Sequence, residues 1–501
     1  MLTQKKYGIL LGYCNIIVKN LVQLVYTPML LYFVGQGDFG VFQTINSFTL
    51  TLTIFSVGFT KAYVRFYSIK AKNNDTEGIK NLNGLYLLLY LGISVIVLIF
   101  GLIFALTSNA IFCNSFSKEE IELSQKLILI MVISITITIF SSVFDSYILV
   151  REKFKFQQSR QLFTTLATPF LSYFLLLCGF GAVGVGLSQL FITILLLVLN
   201  INFAIKKIKM QFGFRNLQLS LFKSIFVFSI WIFANQICDL INNNIPNVIL
   251  GSLTSSSVVA VFAIAIQIRT CFILFSTTIS NVFVPQVNTI VATTNNNDQL
   301  SKLITRVGRY QMFLLCWIYG AFVVIGRFFM LKWAGDSFDD AYFMLCIMML
   351  PLIIPLSQNV GIEIQYAKNK HKARSCVYLF MAVINVLITI LFSKNLGYWA
   401  PTLAYFLSIT LGNCIFMNWY YKKYIGINIK FFWKKTGPIF VSGLFTTVLF
   451  LVITYILPVN NWLSFIVVGL LFTFVFFTII WFIILNKFEK QKILCKIWKK
   501  K

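Results

Sequence analysis

Charge is scarce in this chain. Asp, Glu, Lys and Arg make up only 11% of the 501 residues while hydrophobic residues make up 58%, and the mean hydropathy of +0.83 is far above that of a soluble globular protein. Histidine is nearly absent: the single one, His371, sits among Lys368, Lys370, Lys372 and Arg374 and reads as a solvated loop residue, not a catalyst. The ten cysteines contain no Cys-x-x-Cys pair and only Cys113 falls in an expected outer loop, so neither a disulfide framework nor a metal cage is expected. No stretch has the Gly-rich pattern of a Walker loop, which argues against ATP hydrolysis within the chain. Long hydrophilic stretches are missing too, and with them the room for a soluble domain.

Apolar sequence is what the chain has in abundance. Runs longer than about 18 residues, the length that crosses roughly 30 Å of hydrocarbon at 1.5 Å per residue, recur throughout. The first seven fall at 8–34, 40–60, 82–107, 123–150, 162–180, 183–205 and 221–250. The second seven fall at 258–284, 310–331, 341–365, 376–393, 400–421, 437–457 and 462–485, which predicts an all-α integral membrane protein of about fourteen spans. The run at 8–34 is too long for a signal-peptide core and is expected to be an uncleaved first helix. The 53 Phe residues suit lipid contact and interfacial belts.

A net charge of +27 in a soluble protein would point to nucleic acid. Position points elsewhere. With Lys5 and Lys6 on the cytoplasmic side, 35 of the 42 Lys and Arg fall in cytoplasmic segments, and only Lys118, Lys126, Arg327, Lys332 and Lys394 fall outside. Seven of the fifteen acids, Asp38, Glu119, Glu120, Glu122, Asp336, Asp339 and Asp340, share those outer loops. This is the positive-inside rule with both termini cytoplasmic, and no nucleic acid is implied. The basic stretches at 61–81, 206–220 and 422–435 mix Lys and Arg with bulky apolar residues; they read either as interfacial helices or as charges that only set topology.

A charge at mid-membrane costs at least about 2.5 kcal/mol on insertion scales, so each one is a functional candidate. Lys19 in the first run, Asp239 in the seventh, Arg269 in the eighth and Glu363 in the tenth qualify, whereas Asp145 is near enough to an end to reach the interface. Lys19 has Asn15 and Gln23 at helical spacing; Arg269 has Gln267 beside it and Gln236 one span earlier. Asn242-Asn243-Asn244 before Pro246 predicts a bend in the seventh span, since proline removes a backbone donor. Two arrangements stay open. Lys19 and Arg269 either pair with Asp239 and Glu363 between helices, or receive an anionic substrate headgroup such as a phosphate or diphosphate. In the second case Asp239 and Glu363 are candidates for coupling to H⁺ or Na⁺. Pro28 before Val41-Phe42 and Pro246 before Val261-Phe262 hint at an internal repeat, dividing the chain into 1–205 and 206–421, with 422–501 an addition of two helices and a basic tail.

Pro28-Met29-Leu30-Leu31, Gly37-Asp38-Phe39-Gly40-Val41-Phe42-Gln43, Gly58-Phe59 and Val64-Arg65-Phe66-Tyr67-Ser68 resemble the opening hairpin of the polysaccharide transporters, the O-antigen and capsule (Wzx-type) flippase family. That family belongs to the multidrug, oligosaccharidyl-lipid and polysaccharide exporter superfamily. A second region, Ile249-Leu250-Gly251, Ala260-Val261-Phe262-Ala263 and Val284-Pro285, resembles its seventh and eighth spans. Members often carry an acid just before the Ile-Leu-Gly, where this chain has Pro246-Asn247, which leaves Asp239 as the substitute. The resemblance implies two pseudo-symmetric six-helix bundles around a central cavity, as in MATE transporters, with two added helices. It also implies alternating access that carries an undecaprenyl-diphosphate-linked oligosaccharide across a bacterial inner membrane, alongside a polysaccharide polymerase and glycosyltransferases. Alternatives are a lipid-linked peptidoglycan precursor flippase, a cation-coupled multidrug exporter, which has no reason to bury Lys19 and Arg269, and a membrane glycosyltransferase or polymerase, for which every outer loop is too short.

Overall fold

Hydrocarbon offers no partner to a backbone N–H or C=O, so an apolar segment that crosses it must satisfy those groups within itself. In the computed structural model every regular element among the described residues is accordingly helical. Residues 2–215, 219–294, 296–368, 370, 372–484 and 490 are described. The helices run α1 (Leu2–Val34), α2 (Gln36–Leu52), α3 (Ile54–Lys72), α4 (Thr76–Phe112), α5 (Lys118–Val150), α6 (Phe154–Leu177), α7 (Gly181–Asn202), α8 (Leu219–Asn243), α9 (Ile245–Leu253) and α10 (Ser256–Val282). They continue as α11 (Val284–Thr293), α12 (Asn297–Ala334), α13 (Asp339–Ser357), α14 (Asn359–Ala367), α15 (Lys372–Leu396), α16 (Trp399–Ser408), α17 (Met417–Tyr420), α18 (Ile429–Ile456) and α19 (Trp462–Ile479).

Each apolar run falls mainly on these helices, with 203–205, 409–416 and 480–484 in π-helical turns that continue them; Leu485 and His371 lie outside the described residues. Twelve helical stretches among the described residues are long and apolar enough to cross a membrane. The count of fourteen includes two helices that fall outside those twelve. One is α6, whose first half carries Lys155, Gln157, Gln158, Arg160 and Gln161 and which contains Pro169; the other is α8. Prolines mark the breaks. α8 stops at Asn243 and α9 restarts with Pro246 in its first turn, the bend expected from the Asn run; α10 gives way to α11 in the same manner at Pro285. The basic stretch after Lys61 continues α3 as far as Lys72.

The chain forms two compact units, Met1–Ala263 with Val386–Tyr398, and Ile264–Asn385 with Trp399–Lys501. In the first, α5 is the hub and packs on α4, α7 and α2, while α1 packs on α6 and α3 on α8. In the second, α12 packs on α18, α13 and α19. Inside the first unit the two stretches that carry the family resemblance meet: α2 lies on α9, with Gly40, Thr44 and Ser47 facing Ser256, Gly251 and Asn247. Small residues of this kind let helix backbones approach closely in lipid, where no hydrophobic drive holds helices together. The Asn247 Nδ2 donates to Ser47 Oγ at 2.8 Å, a buried bond across the interface.

Candidate functional site

On α1, Asn15, Lys19 and Gln23 stand four residues apart and so share one helix edge. They are not equivalent. Asn15 is buried, its Nδ2 donating to the backbone carbonyl of Gln158 at 2.9 Å and to Gln158 Oε1 at 2.8 Å. Lys19 is exposed and Gln23 half-buried. Asn15 therefore anchors the edge to α6, and Tyr26 repeats the tie one side over, its hydroxyl donating to Ser172 Oγ at 3.0 Å. The anchoring fixes which way Lys19 faces. The side chains of Gln236 and Asp239, both on α8, lie outside the described residues.

In the second unit Arg269 is fully buried, at 0% exposure on α10. Its guanidinium lies 4.0 Å from the ring centroid of Tyr405 on α16, and its Nη1 is 3.8 Å from the sulfur of Met348 on α13. A desolvated cation on an aromatic face gains about 2 kcal/mol, close to the ~2.5–3.5 kcal/mol that an arginine costs in mid-membrane on insertion scales. Tyr405 thus offsets much of the penalty of keeping a cation there. Gln267, two residues earlier, is half-buried. Glu363, on α14, is half-buried and has Arg374 of α15 as its charged neighbour; no ion pair joins it to Arg269 among the described residues. Among its described contacts the Arg269 guanidinium lies on the Tyr405 ring and beside the Met348 sulfur.

Two polar networks escape sequence reasoning. Asp145 on α5, read as reaching the interface, accepts from Arg160 Nη2 of α6 at 2.7 Å. Arg160 also donates to Asn200 Oδ1 on α7, and Asn200 Nδ2 donates to Ser141 Oγ at 2.9 Å, so three helices are joined by one guanidinium. In the second unit Ser276 Oγ on α10 donates to the Leu356 carbonyl at 2.6 Å and accepts from Gln311 Nε2 at 3.0 Å and Asn359 Nδ2 at 2.9 Å, stitching α10 and α12 to the break between α13 and α14. Spacing along a single helix gives no sign of either network, because the partners stand on different helices, far apart in sequence. Tyr405 was equally silent, one of 21 tyrosines with nothing in its neighbourhood to mark it.

Comparison with known proteins places this architecture. Residues 7–290 match the family described as polysaccharide biosynthesis protein. The chain is 24% identical over 492 residues to the uncharacterized membrane protein EpsK of Bacillus subtilis (strain 168), covering 95% of this chain and 94% of that one. Among solved structures it is similar to the lipid II flippase MurJ in its inward closed conformation, with a TM-score of 0.74 and 17% identity over 94% of this chain and 99% of that one. It is also similar to an inward-facing multidrug resistance MATE family transporter of the MOP superfamily, with a TM-score of 0.62 and 14% identity over 82% of this chain and 94% of that one. At such identities the likeness is one of fold, a multi-pass helical membrane fold shared with these two proteins. With more than half of its length matched, the chain belongs to the polysaccharide biosynthesis protein family.

Proposed function

We propose that this chain flips a polyprenyl-diphosphate-linked oligosaccharide, a repeat unit of O-antigen, capsule or exopolysaccharide, from the cytoplasmic to the outer leaflet of the bacterial inner membrane by alternating access. The observation that carries this reading is Arg269, a fully buried arginine on a membrane-spanning helix of a chain from a polysaccharide biosynthesis family. Arg269 and Lys19 supply the positive charge for the diphosphate, since charge-assisted bonds to phosphate oxygens gain most where water is excluded. Gln23, Gln236 and Gln267 add neutral donors and acceptors, and Asn15 acts by holding the α1 edge against α6. Asp239 and Glu363 are the carboxylates through which H⁺ or Na⁺ couples to the cycle. The bias of Lys and Arg, 35 of 42 on one side, supports cytoplasmic termini. The polymerase and glycosyltransferases of the same pathway are the expected partners.

Fold similarity to the lipid II flippase favours one second reading, a lipid-linked peptidoglycan precursor as the cargo. Leaflet analysis in cells separates the two. Loss of the chain should strand lipid-linked oligosaccharide on the cytoplasmic leaflet with peptidoglycan precursor unaffected, as read by saccharide-specific probes on intact and inside-out vesicles. Stranded peptidoglycan precursor selects the second reading, and an unchanged distribution of both refutes flipping.

A further inference from the structure

Lysines gather at one end of the second unit. The turn between α14 and α15 supplies Lys368, Lys370 and Lys372, and the π turn Tyr421–Ile425 after α17 supplies Lys423. Two adjoining clefts open among them. One, of about 550 Å³, is lined by Lys368, Lys370, Lys423 and Asn297; the other, of about 580 Å³, by Lys370 and Lys372 with Phe416, Trp419 and Tyr420. Lys370 and Tyr424 belong to both.

The lysines are positioned by the backbone. Lys368 Nζ donates to Asn297 Oδ1 and to the Ile425 carbonyl at 3.3 Å, and Lys370 Nζ donates to the Tyr424 carbonyl at 2.6 Å. An ammonium has three protons, so each keeps at least one to offer. Lys423 lies 5.2 Å from the Trp419 ring centroid and 5.6 Å from that of Tyr424. Among the described residues none of these four lysines forms an ion pair. Burial first, and then the charge of Lys370, push the Lys368 ammonium pKa down, the mark of cations crowded without a counter-charge. Beside them Gly426 adopts a left-handed φ of +79°, a conformation that calls for glycine. Trp419 and Tyr424 are 45% and 46% exposed beside these charges, an arrangement typical of headgroup depth in a membrane.

We propose that these joined clefts bind the phosphate of an anionic phospholipid, the lysines taking the headgroup and the aromatic rings lying along its glycerol and upper acyl chains. The clefts share no lining residue with those assigned to cargo. The positive-inside bias puts it on the inner leaflet, and the binding itself does not depend on what the chain transports.

The test uses the full-length chain in phosphatidylcholine nanodiscs, with fluorescent phosphatidylglycerol as the probe and inorganic phosphate as the soluble competitor. A lysine near an anionic surface contributes about fivefold in affinity. Lys368→Gln, Lys370→Gln and Lys423→Gln together should weaken phosphatidylglycerol binding on the order of a hundredfold, while the corresponding Arg triple stays near wild type. Lys61→Gln, Lys72→Gln and Lys80→Gln, on the first unit, should leave it unchanged. Should the Gln triple fail to fold, Lys370→Gln alone should still lose about fivefold. An unchanged Gln triple, or an equal loss in the first-unit triple, overturns the site. Tight binding of inorganic phosphate in detergent with no preference for phosphatidylglycerol overturns the lipid assignment in favour of free phosphate.

Discussion

Adding one methyl group to Gly40 should separate α2 from α10. A Cβ built there stands 1.8 Å from the Ser256 carbonyl oxygen, 2.5 Å from its carbonyl carbon and 3.1 Å from its Cα. A carbon–oxygen contact needs about 3.3 Å, so the two backbones must part by about 1.5 Å. No flexible side chain can yield instead. Overpacking of this kind costs about 1–3 kcal/mol, and a rigid backbone neighbour puts Gly40→Ala at the upper end. Alanine regains up to about 1 kcal/mol of helix propensity, leaving a net loss of about 1–2 kcal/mol. Gly92 on α4 is the control, since a Cβ there meets nothing within 4 Å; Gly92→Ala should be neutral or slightly stabilising. The assay is thermal unfolding of each purified variant in the same detergent, followed by loss of monodispersity. Gly40→Ala should unfold several degrees below wild type, and Gly92→Ala at or above it. Equal midpoints for the two variants would refute the close approach.

The network around Arg160 allows a double-mutant test. Asp145→Asn leaves the Arg160 guanidinium, whose side chain is 14% exposed, without its counter-charge, and after allowance for the 36% exposure of Asp145 the loss should be about 2 kcal/mol. Asp145→Leu with Arg160→Met should recover most of it, since apolar replacements remove both desolvation costs; additive losses in thermal midpoint would argue against the pair. At the start of α4 the Gly78 amide, donating at 2.7 Å, and then Lys70, at 3.1 Å, hold the Asp75 carboxyl below its usual range. A depressed folded pKa contributes stability that is complete above the unfolded value near 3.9 and is lost as pH falls through the lower folded value. Hydrogen-exchange mass spectrometry should therefore find, after correction for intrinsic rates, a first turn of α4 that Asp75→Ala destabilises at neutral pH. In strong acid the variant and wild type should converge, and a difference that persists there contradicts the assignment.

The helices were legible because hydrocarbon thickness imposes run length, and no soluble alternative competes for such runs. Proline placed the break before α9 equally well, since the missing N–H is a local property. The α6 crossing shows the limit of run length: Arg160 and its glutamines make the segment look marginal, yet that arginine is satisfied by Asp145 and Asn200 from neighbouring helices. Those partners lie far away in sequence, so hydropathy sees only the cost and not the compensation. The same blindness affects Arg269. Its burial was expected from its position, but the Tyr405 face that holds it depends on how α10 and α16 pack. The Gly37–Gln43 and Ile249–Gly251 motifs carry a further lesson. In the structure their glycines serve close packing, Gly40 against Ser256 at the start of α10 and Gly251 against Thr44 of α2.

The most direct measurement reconstitutes the purified chain into liposomes carrying a fluorescent polyprenyl-diphosphate oligosaccharide and follows its transfer between leaflets by quenching from outside. Wild type should move the lipid well above protein-free liposomes. Arg269→Gln, which removes a charge-assisted contact of about 1.5–3 kcal/mol, should slow transfer roughly ten- to a hundredfold while the variant remains folded. Lys19→Gln should slow it as well. Transfer by wild type no faster than through bare liposomes, or undiminished transfer by Arg269→Gln, would contradict the account.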